Sequence, residues 1–277
     1  MEGRARTGFV YAPFTISQLL SRPIANIGRR LPGGWRDAFR QLGLFACAYV
    51  LYQAVRGIVS GEQSVAFSNA QHVIHLERSL GAFFEPGLQQ ALLSHHWIID
   101  LANFFYLNCQ FVLTTAFLVW LYMKRNDNFY FVRNMFLVAM GLALVGYALF
   151  PTAPPRMLPG AGFTDTISAF THTGQSSTLG SFFVNAYAAV PSMHIAFALM
   201  IGVPGFVLSR TAASRMWWSA YPMLVFFVIV VTANHFWFDA AAGAAVACMA
   251  AVASTQLARL RPTAWSFRES SADEAAA

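Results

Sequence analysis

An all-α, integral membrane bundle of six transmembrane helices is the fold class this sequence predicts, and three observations predict it. Of 277 residues, 57% are hydrophobic, 15% aromatic and only 11% charged, where a soluble domain has roughly 25% charged. Six apolar segments have the length of a bilayer crossing, about 20 residues each. Basic residues also divide unevenly between the two sides that six crossings would create. A mean hydropathy of +0.49 with 26 Phe and 7 Trp would leave apolar surface uncovered in water. That excludes a soluble enzyme, a disordered chain and a nucleic-acid binder. The net charge of +6 comes from arginine-rich ends, and Cys47, Cys109 and Cys248 each lie in an apolar run with no disulfide role.

Residues 1–40 read as a basic cytoplasmic arm carrying Arg4, Arg6, Arg22, Arg29, Arg30, Arg36 and Arg40. The arm lacks an apolar h-region followed by a small-residue cleavage site, so it is expected to stay on. Within it, residues 13–31 place Phe14, Ile16, Leu19, Leu20, Ile24, Ile27 and Leu31 among arginines. That pattern fits an amphipathic segment on the anionic inner leaflet, kinked at Pro23, and equally a flexible basic topology signal.

Residues 41–257 form the membrane domain, with spans expected at 41–60, 98–123, 130–150, 190–209, 217–232 and 236–257. The last two belong to one apolar stretch, 217–253, too long for a single crossing; Thr232, Asn234, His235 and Asp239 place the break. Between the first two spans, Val73, Ile74, Leu76, Leu80, Phe83 and Phe84 recur at helical spacing, which predicts an interfacial helix within 61–97. Residues 258–277 read as a cytoplasmic tail, disordered after Pro262.

Six spans put fifteen of the 18 basic residues on one side and leave Arg56, Arg78 and Arg156 on the other. Five would put the tail on the wrong side. Both termini are therefore expected in the cytoplasm, with 61–97, 151–189 and 233–235 facing outward. In a bacterial cell this is the plasma (inner) membrane.

Polar groups at membrane depth are expensive and point to function. All seven histidines, at 72, 75, 95, 96, 172, 194 and 235, fall on the outward side, as do Arg156 and Asp239. His235 and Asp239 are four apart and would share one helical face, where a carboxylate can fix the ring's tautomer. An imidazole held this way can attack phosphorus and form a phosphohistidine. His194, at the helix start marked by Pro191 and Ser192, can protonate the leaving oxygen, while free amides there favour an anion. Arg156 offers a planar fork to phosphate oxygens. Blander readings compete at each position: a structural histidine, a structural His–Asp pair or two metal ligands, an arginine that snorkels to the interface. His172 and His95-His96 could complete a zinc site, but they lack ligand spacing. Convergence of His, His, Asp and Arg from three helix ends favours chemistry.

These residues resemble the type 2 phosphatidic acid phosphatase superfamily, and more narrowly its branch similar to inositol phosphorylceramide synthase. Pro191-Ser192-Met193-His194 resembles the signature Pro-Ser-x-His. His235-x-x-x-Asp239, within Ala233-Asn234-His235-Phe236-Trp237-Phe238-Asp239-Ala240 and followed by Gly243, resembles the signature ending His-x-x-x-Asp. The resemblance covers roughly 41–257 and includes the six-helix count. It implies that His235 is the nucleophile, Asp239 its orienter and His194 the general acid, with no metal or cofactor. Arg156, Ser192 and Asn234 are the candidate phosphate-binding residues.

The departures from the phosphatase branch are informative. A Lys seven positions before the first-signature Arg is here Leu149, and an Arg six positions before the nucleophile is here Ile229. Phe150-Pro151-Thr152-Ala153-Pro154-Pro155-Arg156 instead resembles the synthase branch. A phosphodiester carries one negative charge where a monoester carries up to two, so fewer cations suit a diester. Arg56 or Arg78 could substitute for the missing cations, and Tyr106, Asn108, Gln110 and Tyr147 could donate hydrogen bonds. The expected activity is transfer or hydrolysis of a lipid's phosphorylated headgroup at the outer leaflet, favouring diester headgroup transfer. The alternatives are a lipid-phosphate monoester phosphatase acting on phosphatidate or polyprenyl (di)phosphate, and a lipid-binding or transport protein without chemistry. The expected partners are a membrane phospholipid or polyprenyl-phosphate substrate and a lipid alcohol acceptor, with no nucleic acid. The sequence leaves the oligomeric state open.

Overall fold

The computed structural model describes residues 31–58, 63–171 and 187–266. Among them every regular element is helical: α1 (Gly34–Ile58), α2 (Gln63–Ser79), α3 (Glu85–Leu93), α4 (His96–Phe104), a π-helical turn (Phe105–Cys109) running into α5 (Gln110–Lys124), and α6 (Asn126–Leu149). There follow a 3₁₀ turn (Pro155–Met157), α7 (Thr166–Thr171), α8 (Met193–Leu208), α9 (Ala212–Val231), α10 (Trp237–Leu260) and α11 (Pro262–Ser266). Two compact units divide the chain, 1–45 and 46–277. In the first, Trp35 stacks on Phe39 and the Gln41 amide donates to Asp37.

In the second unit four helices are long and apolar enough to cross a membrane: His96–Lys124, Asn126–Leu149, Ala212–Val231 and Trp237–Leu260. They answer to the spans expected at 98–123, 130–150, 217–232 and 236–257. The break in the long apolar stretch falls at its polar cluster, since α9 ends at Val231 and α10 starts at Trp237. The other two expected spans are helices that fall short of the same measure. Gln41, Gln53 and Arg56 interrupt the apolar run of α1, and α8 has only 16 residues.

Short connections make α8, α9 and α10 antiparallel neighbours, and α8 lies against α9, α10, α6 and α5. Small residues allow the close approach, as in membrane bundles generally. A Cβ added to Gly202 would sit 2.9 Å from Pro222 Cγ of α9, and one on Gly146 of α6 would sit 2.6 Å from Pro191 Cδ. A Cβ on Gly243 of α10 would overlap the Ser192 carbonyl. The chain entering α8 is therefore wedged between α6 and α10. Large apolar side chains such as Phe111, Leu149, Val207, Met223 and Val252 remain exposed on the outside, a surface suited to lipid.

The segment at 61–97 differs from the helix expected along the interface. Ala66, Ala70, Val73 and Ile74 of α2 pack with Ala153, Leu158 and Phe236, so this apolar stripe faces protein. Leu76, Leu80 and Phe84 stay exposed. Gln89 of α3 is fully buried; it donates to Thr164 O at 2.9 Å and Val231 O at 3.1 Å and accepts from Thr164 N at 2.9 Å. Asn103 likewise donates to Thr166 O at 3.1 Å. These bonds tie the 151–171 segment over one end of the bundle.

Order continues past the expected start of the tail, because Pro262–Ser266 is helical and the Trp265 carbonyl accepts from the buried Arg133 guanidinium. The amphipathic segment expected at 13–31 lies, apart from Leu31, outside the described residues. So do His172 and residues 267–277.

Candidate active site

The site is assembled at the end of the bundle where α6 and α9 finish and α8 and α10 begin. Ser192 is the N-cap of α8, with extended backbone (φ −72°, ψ 107°). Its N–H donates to Asp239 O at 3.0 Å, and its buried hydroxyl has no hydrogen-bond partner among the described residues. His194 lies in the first turn of α8, where its ring stacks on Tyr106 with centroids 4.3 Å apart. Tyr106 belongs to the π-helical turn, a distortion frequent at functional sites. Gln110 Nε2 donates to Met193 O at 3.4 Å and Tyr147 Oη to Pro191 O at 3.3 Å, so both brace the entry to α8. Asn108 instead bonds within its own helix, to Phe104 O.

The turn between α9 and α10 carries the second histidine. Thr232 Oγ1 donates back to Val228 O at 2.7 Å. Ala233 then adopts φ 52°, a left-handed conformation that costs an L-residue about 1 kcal/mol. That reversal lets the amides of Asn234 and His235 both donate to Ile229 O, at 3.0 and 3.2 Å. His235 therefore precedes α10 and does not share a helical face with Asp239 as the spacing predicts. The pair still meets, because Asp239 is in the first turn of α10 and folds back over the helix entry. Its Oδ2 accepts from Phe236 N–H at 3.0 Å and lies 3.2 Å from His235 Nδ1.

A second acceptor reaches the same nitrogen. Ala189 O is 3.0 Å from His235 Nδ1. A carbonyl oxygen can only accept, so the proton sits on Nδ1 and the lone pair on Nε2. His235 is 5% exposed and Asp239 fully buried, which keeps this pair out of water. The rings of His194 and His235 have centroids 5.6 Å apart.

Arg156 reaches the same turn from the 3₁₀ segment. Its backbone N–H donates to Ala233 O at 2.8 Å and its Nε to Asn234 Oδ1 at 2.8 Å. Asn234 Nδ2 donates to Thr232 Oγ1 at 2.8 Å, so this amide braces the arginine. Asp165 Oδ2 lies 3.7 Å from the Arg156 guanidinium. Of the positions lacking the phosphatase cations, Ile229 is fully buried in the bundle and Leu149 is 78% exposed. Arg78 lies over the Phe83 ring. Among the described residues no three His, Cys, Asp or Glu side chains converge as metal ligands.

Four contributors escaped sequence reasoning. The Ala189 carbonyl is a main-chain atom that no side-chain pattern reveals. Asp165 comes from a loop without periodicity. Glu77 and Glu85 bond the first turn of α10; a signal existed for Glu77, which continues the α2 stripe of Ala66, Ala70, Val73 and Ile74.

Apolar helices of crossing length, with a buried histidine–carboxylate pair at one end, define an integral membrane protein with a polar centre. A family model of the PAP2 superfamily matches residues 71–253, which include Arg156, Ser192, His194, Asn234, His235 and Asp239. The chain belongs to that superfamily, which typically contains phosphatases and phosphotransferases. No curated protein and no solved structure matches the sequence.

Proposed function

We propose that this protein transfers or hydrolyses the phosphorylated headgroup of a membrane lipid through a phosphohistidine at His235, with diester headgroup transfer of the inositol phosphorylceramide synthase type as the favoured reaction. The observation that carries the proposal is the His235 ring, held through Nδ1 by Ala189 O and Asp239 Oδ2. Nε2 attacks phosphorus, the N–P bond forms and the P–O bond to the lipid breaks. The departing alkoxide takes a proton from His194, and the Asp239 carboxylate stabilises the positive charge on the ring. An acceptor oxygen then attacks phosphorus, the N–P bond breaks and His194 takes the acceptor's proton. A lipid alcohol as acceptor makes the protein a transferase, and water makes it a hydrolase.

Charge favours the diester. Arg156 already shares its charge with Asp165, and no cation stands at Leu149 or Ile229. Such a site neutralises a monoanion better than a dianion. In this reading all six apolar segments cross the membrane, both termini are cytoplasmic and the reaction faces outward. The 16 residues of α8 reach only about 24 Å, which supports a centre recessed from the outer surface, within reach of a lipid headgroup.

A lipid panel offered to the purified protein, scored for both released and exchanged headgroup, tests the reading. Headgroup exchange between diester lipids is the expected result. Release of phosphate from monoesters alone would make it a phosphatase, and binding without turnover a transport or binding protein. Activity is expected to survive EDTA; its loss, with recovery on adding a divalent metal, would overturn the metal-free mechanism. His194→Ala is expected to reduce turnover of a lipid-alcohol ester by about 10²–10⁴-fold, while a nitrophenyl ester is much less impaired because its leaving group needs no proton. Equal loss on both esters would remove the acid role.

A further inference from the structure

Three carboxyl groups meet the first turn of α10. Asp239 accepts from Phe236 N–H at 3.0 Å, Glu85 Oε1 from Trp237 N–H at 3.0 Å and Glu77 Oε1 from Phe238 N–H at 3.1 Å. Three successive amides that a helix leaves without internal acceptors are thus each met by a carboxyl oxygen. Glu77 and Glu85 arrive from different helices, α2 and α3, and both are fully buried. A short capping side chain serves one such amide; here two long side chains from other helices serve the next two, which ties α2 and α3 to the entry of α10.

Among the described residues no other residue donates to their second oxygens, Glu77 Oε2 and Glu85 Oε2. The two carboxyl groups hold successive amides, those of Trp237 and Phe238, so they converge on one buried helix end, where a proton on one of them removes the repulsion between two like charges. We propose that Glu77 and Glu85 share one proton and form a clamp on the first turn of α10, positioning Asp239 against His235 Nδ1. They are positioning residues of the reaction centre, and this role rests on the catalytic reading of His235.

Burial, then the neighbouring Glu85, push the Glu77 carboxyl up from its ordinary 4.5 to about 9, with Asp239 adding to the effect. The groups facing it are Glu85 on α3 and Asp239 on α10, with His235 behind Asp239; the adjacent Arg78 is turned to Phe83. The folded chain holds this proton more tightly than the unfolded one. Its stabilising effect is complete below pH 4.5 and is lost as pH rises through about 9. Above that, a second buried negative charge repels the first and loosens the clamp.

The full-length protein with Glu77→Gln and Glu77→Ala provides the test. Glutamine reproduces the neutral acid, accepting from Phe238 N–H and donating to Glu85. In infrared spectra the parent is expected to show a protonated-carboxyl band that titrates near pH 9 and is missing from Glu77→Gln. On a lipid that is turned over, the parent is expected to lose kcat above that pH with KM unchanged. Glu77→Gln should hold kcat within about threefold at neutral pH and lack the alkaline decline, and Glu77→Ala should lose about 10²-fold in kcat, as for a misplaced catalytic group. NMR of isotope-labelled histidine needs no substrate: Glu77→Ala should lower the pH at which the His235 ring titrates, and Glu77→Gln should leave it in place at neutral pH. An absent band, an alkaline decline retained in Glu77→Gln, or a His235 titration unmoved in Glu77→Ala would each overturn the clamp. A parent inactive on every lipid, in which Glu77→Ala still moves the His235 titration, would refute the catalytic reading and uphold the clamp.

Discussion

His235→Ala is expected to abolish headgroup release and exchange, a loss on the order of 10⁶-fold that leaves only what binding contributes. The change removes the atom that would bond to phosphorus, and among the described residues no other nitrogen is held by both Ala189 O and Asp239 Oδ2. The fold should survive. Truncation leaves the Ala189 carbonyl without this donor, a cost of about 1–3 kcal/mol, while Asp239 keeps its bond to Phe236 N–H. Turnover per folded molecule, with folding checked by circular dichroism and gel filtration in detergent, decides the outcome. A variant that turns over like the parent would end the phosphohistidine mechanism, and a variant that cannot fold would make His235 a structural residue.

The second large effect belongs to Asp239→Asn, and here the structure revises what a triad analogy implies. In a serine triad the same change costs about 10⁴-fold because the histidine adopts the wrong tautomer. In this protein the Ala189 carbonyl also accepts from Nδ1 and continues to hold the proton there. Under the proposed mechanism, what disappears is the negative charge that would stabilise the ring as the N–P bond forms. The expected loss in kcat is therefore smaller, about 10²–10³-fold, comparable to removing one preorganised electrostatic contact. A loss of 10⁴-fold or more, read by steady-state kinetics on a properly folded variant, would show that Asp239 alone sets the tautomer. Less than about tenfold would assign the holding of the ring to Ala189 O, below the cost of a single such contact.

Apolar length is a local property, which is why the helices at 96–124, 126–149, 212–231 and 237–260 were legible from sequence to within a few residues. The break between α9 and α10 was legible for the same reason, since Thr232, Asn234 and His235 interrupt an otherwise continuous hydrophobic run. The pairing of His235 with Asp239 was anticipated from a four-residue spacing, although the geometry that achieves it is a left-handed Ala233 followed by a helix entry. Bonds between distant parts of the chain left no such trace. Glu77 and Phe238 are 161 positions apart, and Glu85 and Trp237 are 152 apart. Nothing in either neighbourhood names the other. The stripe of α2 read as a surface for the membrane interface because an apolar face looks the same whether lipid or Phe236 and Leu158 cover it.

Gly243 fixes more than the fit of two helices. Because the main chain of Ser192 rests where a side chain on α10 would otherwise stand, the offset between the two imidazoles is set by backbone against backbone. Residues on the outer surface of the bundle can therefore be exchanged to suit bilayers of other thickness or fluidity without shifting the two rings, whereas the smallest enlargement at this one position would pull His194 and His235 apart.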